Sequence, residues 1–277
     1  LGSLSILLFY ISISKFLKTN FDKNIIILFI LLPSYNFWSS GISKDVITLF
    51  SLSLLLYSFI RNNFKILIIS IITLFSVRVH LGLIIILSLI ITISLGFFYA
   101  LFFKKKLYFF KRELKKKLLL TIFMTSVILS LTVIKTYFFK NVMNIKHTIS
   151  HFQNMYPGEN FIESNFFLFR FFEYLFRPYL WEDTNIIIKI LSLENVLILV
   201  LLSLLIVSFF FHKFKKKNFQ HLDIKVFILL SFILIAIFQV LLTSNTGIAM
   251  RQKWTFLPGL LFVLIYLKSN FFFKKFN

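Results

Sequence analysis

The chain has no cysteine, which excludes a disulfide framework, a thiol nucleophile and a thiolate metal site. Acids are scarce, Asp+Glu 10 against Lys+Arg 31, and only 15% of the residues carry charge. There is no Gly-rich phosphate loop, no serine-nucleophile elbow and no Asp-Asp or Asp-x-Asp pair. His147 and His151 stand at a spacing that places two imidazoles on one helical face, but no carboxylate follows at ligand spacing, so no metal is expected. No cofactor is implied either.

What remains is apolar. Over 277 residues, 58% are hydrophobic and the mean hydropathy is +0.89, values that exclude a water-soluble globule and belong to integral membrane proteins. A net charge of +21 in a soluble protein would point to nucleic acid. Here every basic stretch is flanked by runs long enough to enter a bilayer, so the expected partner is membrane lipid and not nucleic acid.

A spanning helix needs roughly 20 mostly apolar residues to cross a hydrocarbon core of about 30 Å. The sequence offers nine candidates, some short, at 1–14, 24–38, 46–60, 64–79, 81–103, 118–139, 193–211, 226–243 and 250–267. The expected fold is therefore all-α, a polytopic transmembrane bundle of eight to nine visible spans forming one integral membrane domain over 1–277. The chain opens at Leu1 without a charged leader region, so the first segment reads as a truncated span and not a signal peptide.

Cytoplasmic loops carry the excess of Lys and Arg. Alternate loops hold 21 of the 31 basic residues and three of the 10 acids, a net of +18, which assigns them and the C-terminus to the inside and leaves +3 outside. This registration requires the apolar run 66–103 to break near Arg78-Val79-His80. It also makes 140–192 a long outer loop.

Four outer segments carry residues that lipid-facing helices do not need. In the first, Pro33 to Asp45, serines precede a helical run whose free N–H groups attract anions. Lys44 beside that start is a candidate phosphate ligand; the plainer alternative is an interfacial turn anchored by Trp38, with Lys44 paired to Asp45. In the second, Arg78 and His80 sit between apolar runs, where an arginine costs roughly 2.5–3.5 kcal/mol unless paired or solvated. Arg78 either lines a polar cavity or snorkels to the surface, and His80 is a candidate base or a structural histidine.

The third segment, 166–183, is strongly aromatic. If helical, it carries Glu163, Arg170, Glu173 and Arg177 along one polar stripe of an interfacial amphipathic helix that Pro178 ends near Arg177. Arg170 and Glu173 suit a packing helix as well as a site, whereas Arg177, Trp181 and Glu182 flank a turn and are the better site candidates. In the fourth, 244–254, Arg251 and Lys253 are two apart and point about 200° away from each other on a helix. Only one is expected to face the interior, and Arg251 is chosen, Lys253 then serving at the interface or beside a ligand. Of six arginines, four (Arg78, Arg170, Arg177, Arg251) are outside, although inner loops hold two-thirds of the basic residues. Either cation satisfies sidedness, but forked recognition of phosphate needs guanidinium, so the outer arginines read as ligand contacts.

Taken together, Pro33-Ser34, Phe37-Trp38-Ser39-Ser40-Gly41, Lys44-Asp45, Arg78-x-His80, Arg177-Pro178, Trp181-Glu182 and Asn245-x-Gly247-x-Ala249-x-Arg251-x-Lys253 resemble bacterial surface-polysaccharide polymerases of the Wzy type, which build O-antigen and capsule. The likeness runs over most of the chain on short, scattered motifs. It implies a multi-pass protein of the inner membrane that joins polyprenyl-linked oligosaccharide repeats on the outer face, with a chain-length regulator or other assembly proteins as partners. Catalytic roles then fall to Arg177 and Arg251 on the diphosphate and to His80 or Glu182 as base. Arg78, Lys44, Asp45, Trp38, Trp181, Lys253 and Arg170 would line the substrate site. Many such polymerases have more spans, and Arg78-Val79-His80 stands where Arg-Pro-His is common. Two other readings stay open: a multi-span transferase using a polyprenyl-phosphate sugar, which needs an acid such as Asp45 in an early outer loop, and a lipid-linked glycan flippase or transporter.

Overall fold

A computed structural model describes residues 1–41, 43–61, 63–103, 166–182, 185–210, 222–243 and 245–272. Its described residues are all-helical, without a strand. In chain order the helices are α1 (Gly2–Ser14), α2 (Asn20–Ile30), α3 (Pro33–Ser40), α4 (Lys44–Arg61), α5 (Phe64–Val77), α6 (Val79–Phe103), α7 (Phe167–Phe176), α8 (Ile186–Phe210), α9 (Leu222–Leu242), α10 (Thr246–Gln252) and α11 (Leu257–Phe272). A 3₁₀ turn, Lys253–Thr255, joins the last two.

Local chemistry sets the helix starts. Thr19 accepts from Asp22 N at 3.1 Å, Asn63 from Lys65 N at 3.1 Å and Asn245 from Gly247 N at 2.8 Å, each satisfying an N–H that a helix start leaves open. Pro33 occupies the first turn of α3, where its missing N–H costs nothing. The stop between α5 and α6 falls at Arg78, whose backbone (φ −140°, ψ 84°) leaves the helical region.

The expected span 24–38 is broken, because α2 ends at Ile30 and α3 begins at Pro33. The helix expected from 193 starts earlier, at Ile186, since Ile186-Ile187-Ile188 and Ile190-Leu191 continue its apolar run around one lysine. Accordingly, the tail of the proposed 140–192 loop is helix. The candidate span 118–139, most of that loop, Glu163 and the two histidines His147 and His151 lie outside the described residues.

Among the described residues one helix, Ile186–Ser208, is by itself long and apolar enough to cross a membrane. The number rises to three if two bent pairs each count as one span: α3 with α4, and Thr246–Thr255 with Leu257–Ser269, which meet at 42°. Four further apolar helices are shorter. Some of these helices are thus able to span a bilayer, and the eight or nine crossings read from hydropathy exceed what the described lengths supply.

Packing is dominated by aromatic and aliphatic side chains, with α1 lying along α4, α4 against α5, and α6 against α9. Gly2 permits the approach of α1 to α3: a Cβ there would sit 1.6 Å from the Ser39 carbonyl oxygen. Buried hydroxyls fold back on their own helices, as Ser12 donates to the Leu8 carbonyl and Thr48 to that of Lys44, both at 2.7 Å. Beneath the candidate site Phe29, Tyr35 and Trp254 form an aromatic cluster with centroids 5.2–5.6 Å apart. Tyr35 Oη is buried there with no partner among the described residues. Since an unpaired buried hydroxyl carries a desolvation penalty that a phenyl ring does not, Tyr35→Phe is expected to leave stability unchanged or raise it by up to about 1 kcal/mol. A lower melting temperature for the purified variant would show that the hydroxyl is bonded.

Candidate functional site

The clearest convergence of charge is on Asp45, in the first turn of α4. Arg78, the residue between α5 and α6, donates from Nη2 to Asp45 Oδ1, and Arg251, on α10, donates from Nε to Oδ2. Both carboxylate oxygens therefore face guanidinium groups, delivered from positions 33 and 206 residues away in sequence. The Asp45 side chain is 3% exposed and that of Arg78 11%, but Arg251 is 41% exposed, so one cation of the three-residue cluster faces outward. Trp38, on α3, lies under it with the Arg251 guanidinium carbon 5.7 Å from a ring centroid. A buried carboxylate flanked by one sealed and one accessible guanidinium holds two forks in fixed orientation, and the accessible one can take a second anion.

Lys253 was expected to turn away if Arg251 faced inward. Lys253 is 2% exposed and its Nζ donates to Asn195 Oδ1 on α8, while Arg251 reaches α4. Their directions diverge as the spacing requires, but the choice of Arg251 as the inward residue fails: Asn195 on α8 gives Lys253 a buried partner, and Arg251 stays at the accessible edge. Buried to that degree, Lys253 serves as a structural cation and is out of reach of a ligand in this conformation.

Adjacent to Asn195, Glu194 accepts from Ser34 N at 3.1 Å and from Ser34 Oγ at 2.6 Å. It thereby supplies the N-terminal cap that Leu32 cannot give α3. Asn195 Nδ2 donates in turn to the Phe176 carbonyl at 3.1 Å, with the Pro178 carbonyl farther away at 3.4 Å. In the sequence neither Glu194 nor Asn195 stands out, since an acid near a helix start is favoured by the dipole alone and the asparagine belongs to no motif. The available signal was two adjacent polar side chains inside the apolar run 186–208.

The turn after α7 forms a separate ion pair. Arg177 Nε donates to Glu182 Oε1 at 2.7 Å, and the Tyr179 backbone N–H donates to Oε2 at 3.1 Å, so both oxygens of Glu182 staple their own loop. The Arg177-Pro178 peptide is cis. Burial first, then the carboxylates of Glu173 and Glu182, push the Tyr179 phenol above its usual range, so it stays protonated. Trp181 is 80% exposed and stacks on Tyr179 with centroids 4.9 Å apart.

The other expected site residues are dispersed. Arg170 donates to the carbonyls of Val240 at 2.9 Å and Thr243 at 3.1 Å, closing the end of α9, the packing role that the sequence offered beside a site role. A helix end offers unpaired carbonyls to any guanidinium within reach. Along α7 Leu168, Phe169 and Phe172 are exposed, as is Phe166 just before it, while Phe171 and Tyr174 pack on Phe256. His80 is exposed and stacks on Phe238 at 5.5 Å. Lys44 is exposed at the first residue of α4. Among the described residues no group of three or more His, Asp or Glu clusters in a way that would hold a metal. Compared with family models, curated proteins and solved structures, the chain matches none.

Proposed function

We propose that this chain is a membrane-embedded enzyme that joins polyprenyl-diphosphate-linked oligosaccharide repeats at the outer face of a bacterial inner membrane. The observation that carries this reading is the meeting of Arg78 and Arg251 on buried Asp45, with Arg251 still accessible beside Trp38. In this reading the apolar helices form a multi-pass bundle with eight to nine crossings and a cytoplasmic C-terminus. Other polysaccharide-assembly proteins, including a chain-length regulator, are its partners.

In the transfer, the acceptor hydroxyl oxygen bonds to the anomeric carbon of the donor, the bond from that carbon to the diphosphate oxygen breaks, and the electron pair leaves on the diphosphate. Negative charge grows on the departing oxygen, where a preoriented guanidinium in a low-dielectric cleft lowers the barrier. Arg251 takes that role with Arg177 as the second diphosphate contact, Arg78 and Asp45 hold Arg251 in place, and Trp38 floors the site. The acceptor proton goes to His80 or Glu182; His80 is the freer of the two, since Glu182 has both oxygens committed to its loop.

One observation favours a second reading. Asp45 is an acid in an early outer segment and lies at the centre of the cluster, as a polyprenyl-phosphate-sugar transferase would require. The surface glycan of a deletion strain separates the alternatives. Single repeats support the polymerase, truncated repeats support the transferase, and intracellular accumulation of complete lipid-linked glycan would replace both with a transporter. Complementation with Asp45→Asn adds a direct comparison, because full activity in that variant is incompatible with the transferase.

A further inference from the structure

Glu194 and Asn195 are consecutive on α8 and so point about 100° apart, which lets one stretch of helix reach two sides at once. Glu194 grips Ser34 at the start of α3. Four residues later, one helical turn along, α3 carries Trp38, the ring under Arg251. Asn195 uses both ends of its amide: Oδ1 receives Lys253, two residues after Arg251, and Nδ2 reaches the carbonyl before Arg177 and, more distantly, that of Pro178 after it. Every anchored group is therefore within four residues of a side chain assigned to the site.

These grips are poor candidates for stability alone. An acid, an amide and a lysine buried among apolar helices lose hydration that hydrogen bonds repay only when geometry is complete, and apolar side chains of similar volume would pack the same junction without that cost. What they supply is registration: α3, the Arg177 turn and the α10 segment come from distant parts of the chain and share α8 as a common reference.

We propose that Glu194 and Asn195 are positioning residues for the donor site, setting Trp38, Arg177 and Arg251 relative to one another; the word donor rests on the function proposed above. Neither touches the reacting atoms. Displacing an oriented group by about 1 Å is enough to cost roughly 10²-fold in rate, so loss of a grip should damage function well before it unfolds the protein.

The absence of cysteine makes reporter labelling clean. Spin labels on cysteines replacing exposed Phe37, Leu180 and Ile248, taken two at a time in the full chain in detergent, read the distances among α3, the Arg177 turn and α10. The second readout is affinity for farnesyl diphosphate, a short polyprenyl diphosphate. Ser34→Ala and Glu194→Gln are expected to broaden the distance distributions and weaken farnesyl diphosphate by about tenfold or more, with helical content and melting behaviour near wild type; Asn195→Ala should do the same at a lower melting temperature, because it takes the acceptor from buried Lys253. Ser34→Thr, which keeps the hydroxyl, should restore both. Ser34→Ala deletes a single hydroxyl and keeps the test valid if Glu194→Gln fails to fold. Narrow, wild-type distances in folded variants would overturn the positioning role, whether or not affinity falls. Broadened distances in variants of a wild type that does not bind farnesyl diphosphate would uphold positioning and overturn the diphosphate reading instead.

Discussion

Replacing Arg251 by lysine is expected to cut glycan transfer by about 10²–10³-fold, the effect of removing one preorganised charge stabiliser, while the protein remains at wild-type abundance in the membrane. Lysine keeps the positive charge beside Asp45 but not the planar fork, so it cannot hold the carboxylate on one edge and a phosphate oxygen on another. Because the Arg251 side chain is 41% exposed, its replacement should disturb folding little. Arg78→Lys is the informative contrast: at 11% exposure its change should lower abundance as well as activity, since it alters a buried pair. Polymer length on gels and immunoblots of isolated membranes read the two effects separately. Long wild-type chains from the Arg251→Lys strain would remove Arg251 from the chemistry.

The helices and the residues of the cluster were legible for the same reason: apolar runs are long here, and a charge that interrupts one is conspicuous. Asp45, Arg78 and Arg251 each stand at such an interruption, but nothing in the sequence says that positions 33 and 206 residues apart will meet, because that pairing is a product of helix packing. Arg170 shows the limit from the other side. It is another arginine that interrupts an apolar run, yet its partners are two backbone carbonyls at the end of α9, which any helix end could present. Glu194 and Asn195 were harder, since a helix-start acid and a lone amide have ordinary uses, and their roles appear only when Ser34, Phe176 and Lys253 are brought against them. Helix bounds were less legible than apolar content: α2 ends at Ile30 and α3 begins at Pro33 inside the run 24–38 that reads as one span, whereas the stop at Arg78 was expected because 66–103 is about twice as long as a membrane-spanning helix.

At the end of α2 and α11 remote from Asp45, the chain carries a second buried ion pair with no part in the proposed chemistry. Lys268 Nζ donates to Asp22 Oδ1 at 2.6 Å and also to Ser208 Oγ, and the two charged side chains are 4% and 3% exposed. Along α11 Lys268 lies about 16 Å from Leu257, the first residue of that helix, by helical rise. Lys268→Met is expected to destabilise the protein by about 3–5 kcal/mol, because it strands the Asp22 carboxylate among apolar side chains. For a chain of this size the melting temperature should fall on the order of 10 °C. Asp22→Asn combined with Lys268→Met removes both charges and should recover most of that loss, since the penalty is for the uncompensated ion and not for the missing pair. Melting curves of the purified single and double variants check this, and a double variant as unstable as Lys268→Met would show that the lysine contributes by packing alone. The two ends should then dissociate cleanly: Arg251→Lys loses transfer and keeps the fold, whereas Lys268→Met weakens the fold and, below its lowered melting point, keeps farnesyl diphosphate binding.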